Sequence, residues 1–190
     1  MSARDRARTG SGESAARYRV MTVCTGNICR SPMAEVVLRR RLDDAGLGHL
    51  VEVTSTGISD EEDGNPVDTR AQSVLRARGY EVPRRAARQV RATDLTGNDL
   101  VLAMTSTHAR ALRRLARTPE LAGRVVMYRS FDPAAPLDEA ADAEHLLDIA
   151  DPWYGGDADF VECLDQVEAA ADAVVDRVRA DLAARGVTTG

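Results

Sequence analysis

The chain has 190 residues, a formal net charge of −5 and 4% aromatic residues, which is length enough for one domain with a core. Its acidic balance argues against general nucleic-acid affinity, and no apolar run approaches the ~20 residues of a membrane span. Arg carries all the fixed positive charge, and three cysteines make no disulfide framework, so a reducing cytoplasm is the expected setting.

Residues 1–18 are rich in Arg, Ser and Ala without an apolar stretch, and they read as a disordered arm before a single domain at 19–186 and a tail at 187–190. A first strand is expected at about 19–24. A helix follows at about 32–45, with Met33, Val37, Leu38 and Leu42 on one face and Gly46 stopping it. Residues 51–55 alternate and predict a second strand. A loop over 57–66 leads to Asp68, a good N-cap for a helix that Gly79 ends. The connector 83–91 carries Arg84, Arg85, Arg88 and Arg91, read as a mostly solvated face.

Residues 99–104 are nearly all apolar and suit a central strand buried on both faces. A helix carrying Ala109, Leu112, Leu115 and Ala116 is halted before Pro119, and 125–128 form a fourth strand. Residues 132–150 predict a long surface connection with a helical turn at 144–149. Asp151-Pro152-Trp153-Tyr154-Gly155-Gly156 has strong turn chemistry, and a last helix runs from Asp157 to about Arg185 with Cys163 in its packing. This alternation predicts an α/β fold, a four-stranded parallel sheet with helices on both faces. Ligands of such sheets bind beyond the carboxyl ends of the strands.

The stretch that carries chemistry is Cys24-Thr25-Gly26-Asn27-Ile28-Cys29-Arg30-Ser31, a loop between the first strand and the first helix. Its backbone amides can converge on one point, and the helix start adds positive potential, which suits a phosphate. Arg30 can grip two phosphate oxygens, and the same field favours a thiolate on Cys24. Gly26 permits a positive φ, and Asn27 tolerates the left-handed region. Ser31 has a hydroxyl able to hydrogen-bond the Cys24 sulfur, and Pro32 suits a first helical turn. The bland alternative is a buried cysteine before a tight turn.

This octet, with Pro-Met-Ala-Glu behind it, resembles the active-site signature of the low-molecular-weight protein tyrosine phosphatases, and the likeness runs from about residue 19 to 185. The resemblance implies a three-layer sandwich with strand order 2-1-3-4 and a phosphate loop after strand one. It implies a phospho-cysteine on Cys24, with Thr25, Gly26, Asn27, Ile28, Cys29, Arg30 and Ser31 around the phosphate. In that family an Asp-Pro pair followed by aromatics carries the general acid, and Asp151-Pro152 with Trp153 and Tyr154 matches it. Asp151 must be protonated while Cys24 is a thiolate, so a bell-shaped rate profile with an acidic optimum is expected. Family members with a second loop cysteine form a protective disulfide, which gives Cys29 a redox-regulatory role. A zinc pair is disfavoured because no further ligand lies nearby, and His49, His108 and His145 show no ligand spacing and read as surface or structural. No cofactor and no metal are expected.

Trp153 and Tyr154 offer an aromatic wall that favours phosphotyrosine over phosphoserine. Phosphoarginine-selective members carry Thr where Ile28 stands, which again favours tyrosine. Two positions depart from the family's pattern. The loop that usually supplies a second aromatic reads Ser59-Asp60-Glu61-Glu62-Asp63, and Thr105 stands where an aspartate is usual. Rival readings are a non-catalytic phosphotyrosine-binding module and a thioredoxin-coupled arsenate reductase, for which Cys163 is the single further cysteine. The implied partner is a phosphotyrosine-bearing protein, a tyrosine kinase of the same cell being one candidate, with neither nucleic acid nor membrane, and a monomeric enzyme in the cytoplasm.

Overall fold

The computed structural model describes residues 17–136 and 143–188. Four parallel strands, β1 (Tyr18–Cys24), β2 (Val51–Gly57), β3 (Leu100–Ala103) and β4 (Val125–Met127), form one sheet in the order β2-β1-β3-β4. Cys24 is paired with Gly57, and Val23 with Ala103, so the strands end together along one edge. The connection reverses direction between β1 and β3, which makes the end of β1 the switch point of the sheet.

Alternation along the strands divides the core. Val20, Cys24, Leu100 and Leu102 face a layer built by α1 (Arg30–Asp44), α2 (Thr69–Ala77) and α6 (Asp157–Ala184). Met21, Val23, Val101 and Ala103 face a thinner layer with α3 (Ala92–Gly97) and α4 (Ser106–Leu115). Because β1 and β3 are central and covered on both sides, their residues are apolar almost throughout, as a parallel sheet requires. The fold class read from the sequence is the one observed.

Asp68 caps α2, accepting from the Arg70 amide at 2.8 Å and the Ala71 amide at 3.4 Å. Gly46 and Gly79 close α1 and α2 with φ of 74° and 81°. Three expectations need correction. Tyr18, assigned to the arm, opens β1 and is fully buried, with its hydroxyl donating to Asp181 at 2.6 Å; residues 1–16 of the expected arm lie outside the described residues. Pro119 does not merely stop a helix. It sits at the start of α5 (Pro119–Gly123), where a missing amide hydrogen costs nothing, and Thr118 caps that turn. The connection at 132–150 is not all surface: beyond a 3₁₀ segment at Ala143–Leu147, Ile149 is fully buried and its amide donates to the Met104 carbonyl at 2.9 Å. No described helix is long and apolar enough to cross a membrane.

Candidate active site

The phosphate-type loop occupies the gap between β1 and α1. Its carbonyls are taken by neighbours: Cys24 by the Ile58 amide at 2.9 Å, Thr25 by Ser59 at 3.0 Å, Ile28 by Asp68 at 2.9 Å and Cys29 by Met33 at 3.1 Å. Among the described residues, none of the amides from Thr25 to Cys29 donates to a protein acceptor. The loop thus turns its acceptors outward and keeps its donors for the inside of the curve, the arrangement an anion needs.

Asn27 sets the curve. It has φ 61°, the left-handed value expected of it, while Gly26 does not use a positive φ. The absent side chain of Gly26 instead makes room for Glu62, whose Cγ would stand 2.8 Å from a Cβ there. Every polar group of the Asn27 side chain is used. Nδ2 donates to Ser31 Oγ at 3.0 Å and Ser55 Oγ at 2.9 Å, and Oδ1 accepts from Arg85 at 2.7 Å and the Arg88 amide at 3.1 Å. Gly57 must be glycine, because a Cβ would lie 2.4 Å from the Thr25 carbonyl oxygen.

Cys24 is buried at the foot of the loop, with Sγ 3.0 Å from Ser31 Oγ. Ser31 Oγ also reaches the Thr56 carbonyl at 3.2 Å, so its proton can turn to a thiolate or leave it. Arg30, nearly buried, donates to the Ile149 carbonyl at 3.1 Å and Thr25 Oγ1 at 3.2 Å, and pairs with Asp151. The pocket joins Cys24, Thr25, Gly26, Ile28, Cys29 and Arg30 with Asp151, Trp153 and Tyr154, and Glu61 and Glu62 form its other side. Trp153 is 43% exposed and Tyr154 is 88% exposed. Asn27 and Ser31 lie behind the loop rather than in the pocket.

Cys29 and Cys163 are buried thiols. Burial first, then the Asp68 charge, push the Cys29 thiol up, and burial pushes Cys163 up to about 12.

Several residues passed over in the sequence matter here. Arg85, expected on a solvated face, is 15% exposed at its side chain, and its Nη1 lies 3.6 Å from buried Glu35. His108, expected at the surface or in a structural role, is buried with Nε2 3.0 Å from Thr25 Oγ1. Burial, then the Arg30 charge, push it down to about 3, so it stays neutral beside Arg30. Thr105 caps α4 by accepting the His108 amide at 3.3 Å, so its route to the phosphate loop runs through that histidine. The helix period of Thr105, His108, Ala109 and Leu112 was the one available signal that His108 faces inward.

A sequence model of low molecular weight phosphotyrosine protein phosphatases matches residues 19–184. A low molecular weight protein-tyrosine-phosphatase of Streptomyces coelicolor is 47% identical over 168 residues, covering 88% of this chain and 98% of the relative. The human low molecular weight phosphotyrosine protein phosphatase is 34% identical over 142 residues, covering 74% and 83%. The crystal structure of a low molecular weight protein tyrosine phosphatase from T. tengcongensis aligns with a TM-score of 0.69 at 30% identity, covering 84% of this chain and 99% of that one. Loop, sheet order and matched length agree, and the chain belongs to the low molecular weight phosphotyrosine protein phosphatase family.

Proposed function

We propose that this chain hydrolyses phosphotyrosine monoesters of proteins through a phospho-cysteine on Cys24. The observation that carries the reading is the Cys24 sulfur at the foot of a loop of uncommitted amides, 3.0 Å from Ser31 Oγ, with Arg30 and Asp151 brought together above it. A phosphate dianion entering the loop takes Arg30's donors from Asp151. Asp151, freed from Arg30, takes up a proton from solvent. The Cys24 thiolate then attacks phosphorus as the bond to the phenolic oxygen breaks, and Asp151 gives that proton to the oxygen. Asp151, now a carboxylate, accepts a proton from water. The oxygen attacks phosphorus, the sulfur–phosphorus bond breaks, and inorganic phosphate leaves. The Ser31 hydroxyl holds the departing sulfur anion.

Trp153 and Tyr154 in the pocket lining, with largely buried Ile28 also in that lining, support an aryl rather than an alkyl ester. The test is phosphate release from matched phosphotyrosyl, phosphoseryl and phosphoarginyl peptides by wild type, Cys24→Ser and Asp151→Asn. Turnover of the phosphotyrosyl peptide that Cys24→Ser abolishes, and that Asp151→Asn slows mainly in kcat, upholds the reading. Binding of that peptide without turnover by wild type would make the chain a recognition module instead.

A further inference from the structure

We infer that Arg70 is a positioning residue, which ties the acid-bearing loop at 151–156 to the phosphate loop and keeps Asp151 in reach of the leaving oxygen. The inference rests on Asp151 being the proton donor.

Arg70 stands in the first turn of α2 and does not line the pocket. Its partner Asp68 is fixed twice, by its backbone amide on the Ile28 carbonyl at 2.9 Å and by its carboxylate on the start of α2. That carboxylate receives Arg70 Nε and Nη2, each at 3.2 Å. The far side of the guanidinium donates to the Gly155 carbonyl at 3.2 Å and the Trp153 carbonyl at 3.4 Å. Its Cζ lies 4.5 Å from the centroid of the Phe160 ring and 5.4 Å from that of the Trp153 ring. Phe160 is fully buried in α6, so one end of this stack cannot move. Each bond is long, and together they form a continuous bridge from Ile28 to Trp153.

The bridge matters because the acid loop has few other holds. Its remaining bonds are internal or to its own following helix: Trp153 to Asp151 at 3.2 Å, Gly155 to Pro152 at 3.0 Å, and Gly156 to Asp159 at 2.7 Å. Among the described residues, hydrogen bonds tie it to the rest of the fold at two places, Arg30 on Asp151 and Arg70 on the Trp153 and Gly155 carbonyls. When a phosphate takes Arg30, Arg70 is the hydrogen-bonded tether that remains beside the buried ring of Pro152. Lys cannot replace it, since one ammonium cannot serve a carboxylate, two carbonyls and two rings at once.

The test is kcat/KM, which reports the steps through P–O cleavage, for aryl phosphates from phenyl to dinitrophenyl with Arg70→Met, Asp151→Asn and the double variant. Arg70→Met keeps the cap of α2, because that cap uses backbone amides. A displaced acid costs most where the leaving group needs a proton. Arg70→Met is expected to lose about tenfold with phenyl phosphate and almost nothing with dinitrophenyl phosphate. In the Asp151→Asn background it should add no further loss. Emission from Trp153, the single tryptophan, should shift in Arg70→Met as its ring loses the guanidinium. An equal loss across the series, or none, overturns the positioning role. A shallow leaving-group dependence in Asp151→Asn itself identifies the proton-donor reading as what failed. A partial return of the phenyl phosphate rate in Arg70→Lys supports a contribution from charge, and the full wild-type rate would overturn the need for the fork.

Discussion

The two loops that meet over Cys24 are held in opposite ways. Four carbonyls of the phosphate loop are bonded, to residues 58–59, to Asp68 and to Met33 of the following helix, and Asn27 bonds Ser31, Ser55, Arg85 and Arg88. The loop at 151–156 is exposed over most of its length, closes on itself, and is gripped from outside by two arginines. The first region needs a fixed shape, since donors aimed at a developing charge help only if they need no reorganisation. In the proposed reaction the second has to change partners in each turnover. Changes in the phosphate loop should therefore cost both stability and rate, and changes in the acid loop should cost rate while leaving stability nearly untouched.

The hardest blow to the fixed side is Gly57→Ala. Its Cβ would sit 2.4 Å from the Thr25 carbonyl oxygen, against backbone that cannot swing away. Displacing the loop by even part of an ångström is expected to lower kcat/KM by about 10²-fold and to weaken inorganic phosphate as a competitive inhibitor. Unchanged kinetics would show that the loop is softer than its bonding suggests.

Asn27 separates shape from bonding. Asn27→Ala places a residue that disfavours φ 61° and removes four side-chain bonds, and about 2–4 kcal/mol of stability should be lost in urea denaturation. Asn27→Gly accepts the angle without the bonds, so it should recover about 1 kcal/mol of that loss. If both variants were equally stable, the angle would carry no cost.

Acid sharpens the contrast through His108. Its ordinary value of 6.5 is pushed down to about 3 by burial and then by Arg30. Between these values the unfolded chain binds a proton that the folded chain refuses. This contribution is therefore fully present above pH 6.5 and is lost as pH falls toward 3. At pH 4.5 the loss should be about 2–3 kcal/mol, and His108→Gln should flatten the dependence. Parallel curves for the two proteins would remove His108 from the account.

The smallest expected effect lies on the mobile side. Tyr154 is 88% exposed, so Tyr154→Ala should change the unfolding midpoint by no more than about 0.5 kcal/mol equivalent while raising KM for aryl phosphates roughly threefold. A large loss of stability would contradict the division between the loops.

Much of this was legible in the chain. The apolar runs at 20–24 and 100–103, the caps at Asp68 and Gly79, and the spacing along α6 predict the sheet and the larger helices, because their signals are local and periodic. Six residues of the octet after the first strand line one pocket together with Asp151 and the aromatics, while Asn27 and Ser31 stand behind it. The supporting residues were hidden. Arg85 looks like its neighbours Arg84 and Arg88 in sequence, and only the tertiary approach of 83–91 to Asn27 buries it. His108 and Arg70 act at separations of 83 and 85 residues, which no periodicity reports. The helices α3 and α5 are six and five residues long, too short to show a repeat.

The uncommitted amides of Thr25 to Cys29 also give the loop a clock. A backbone hydrogen with no protein acceptor exchanges with deuterated solvent whenever water reaches it, however well the surrounding carbonyls are bonded. These five positions should therefore exchange early in the free protein, although β1 and α1 on either side exchange late. An oxyanion seated in the curve would supply the missing acceptors and slow them together. Occupancy of the site is then readable from a single peptide spanning the loop, with no turnover and no reporter group attached to the protein.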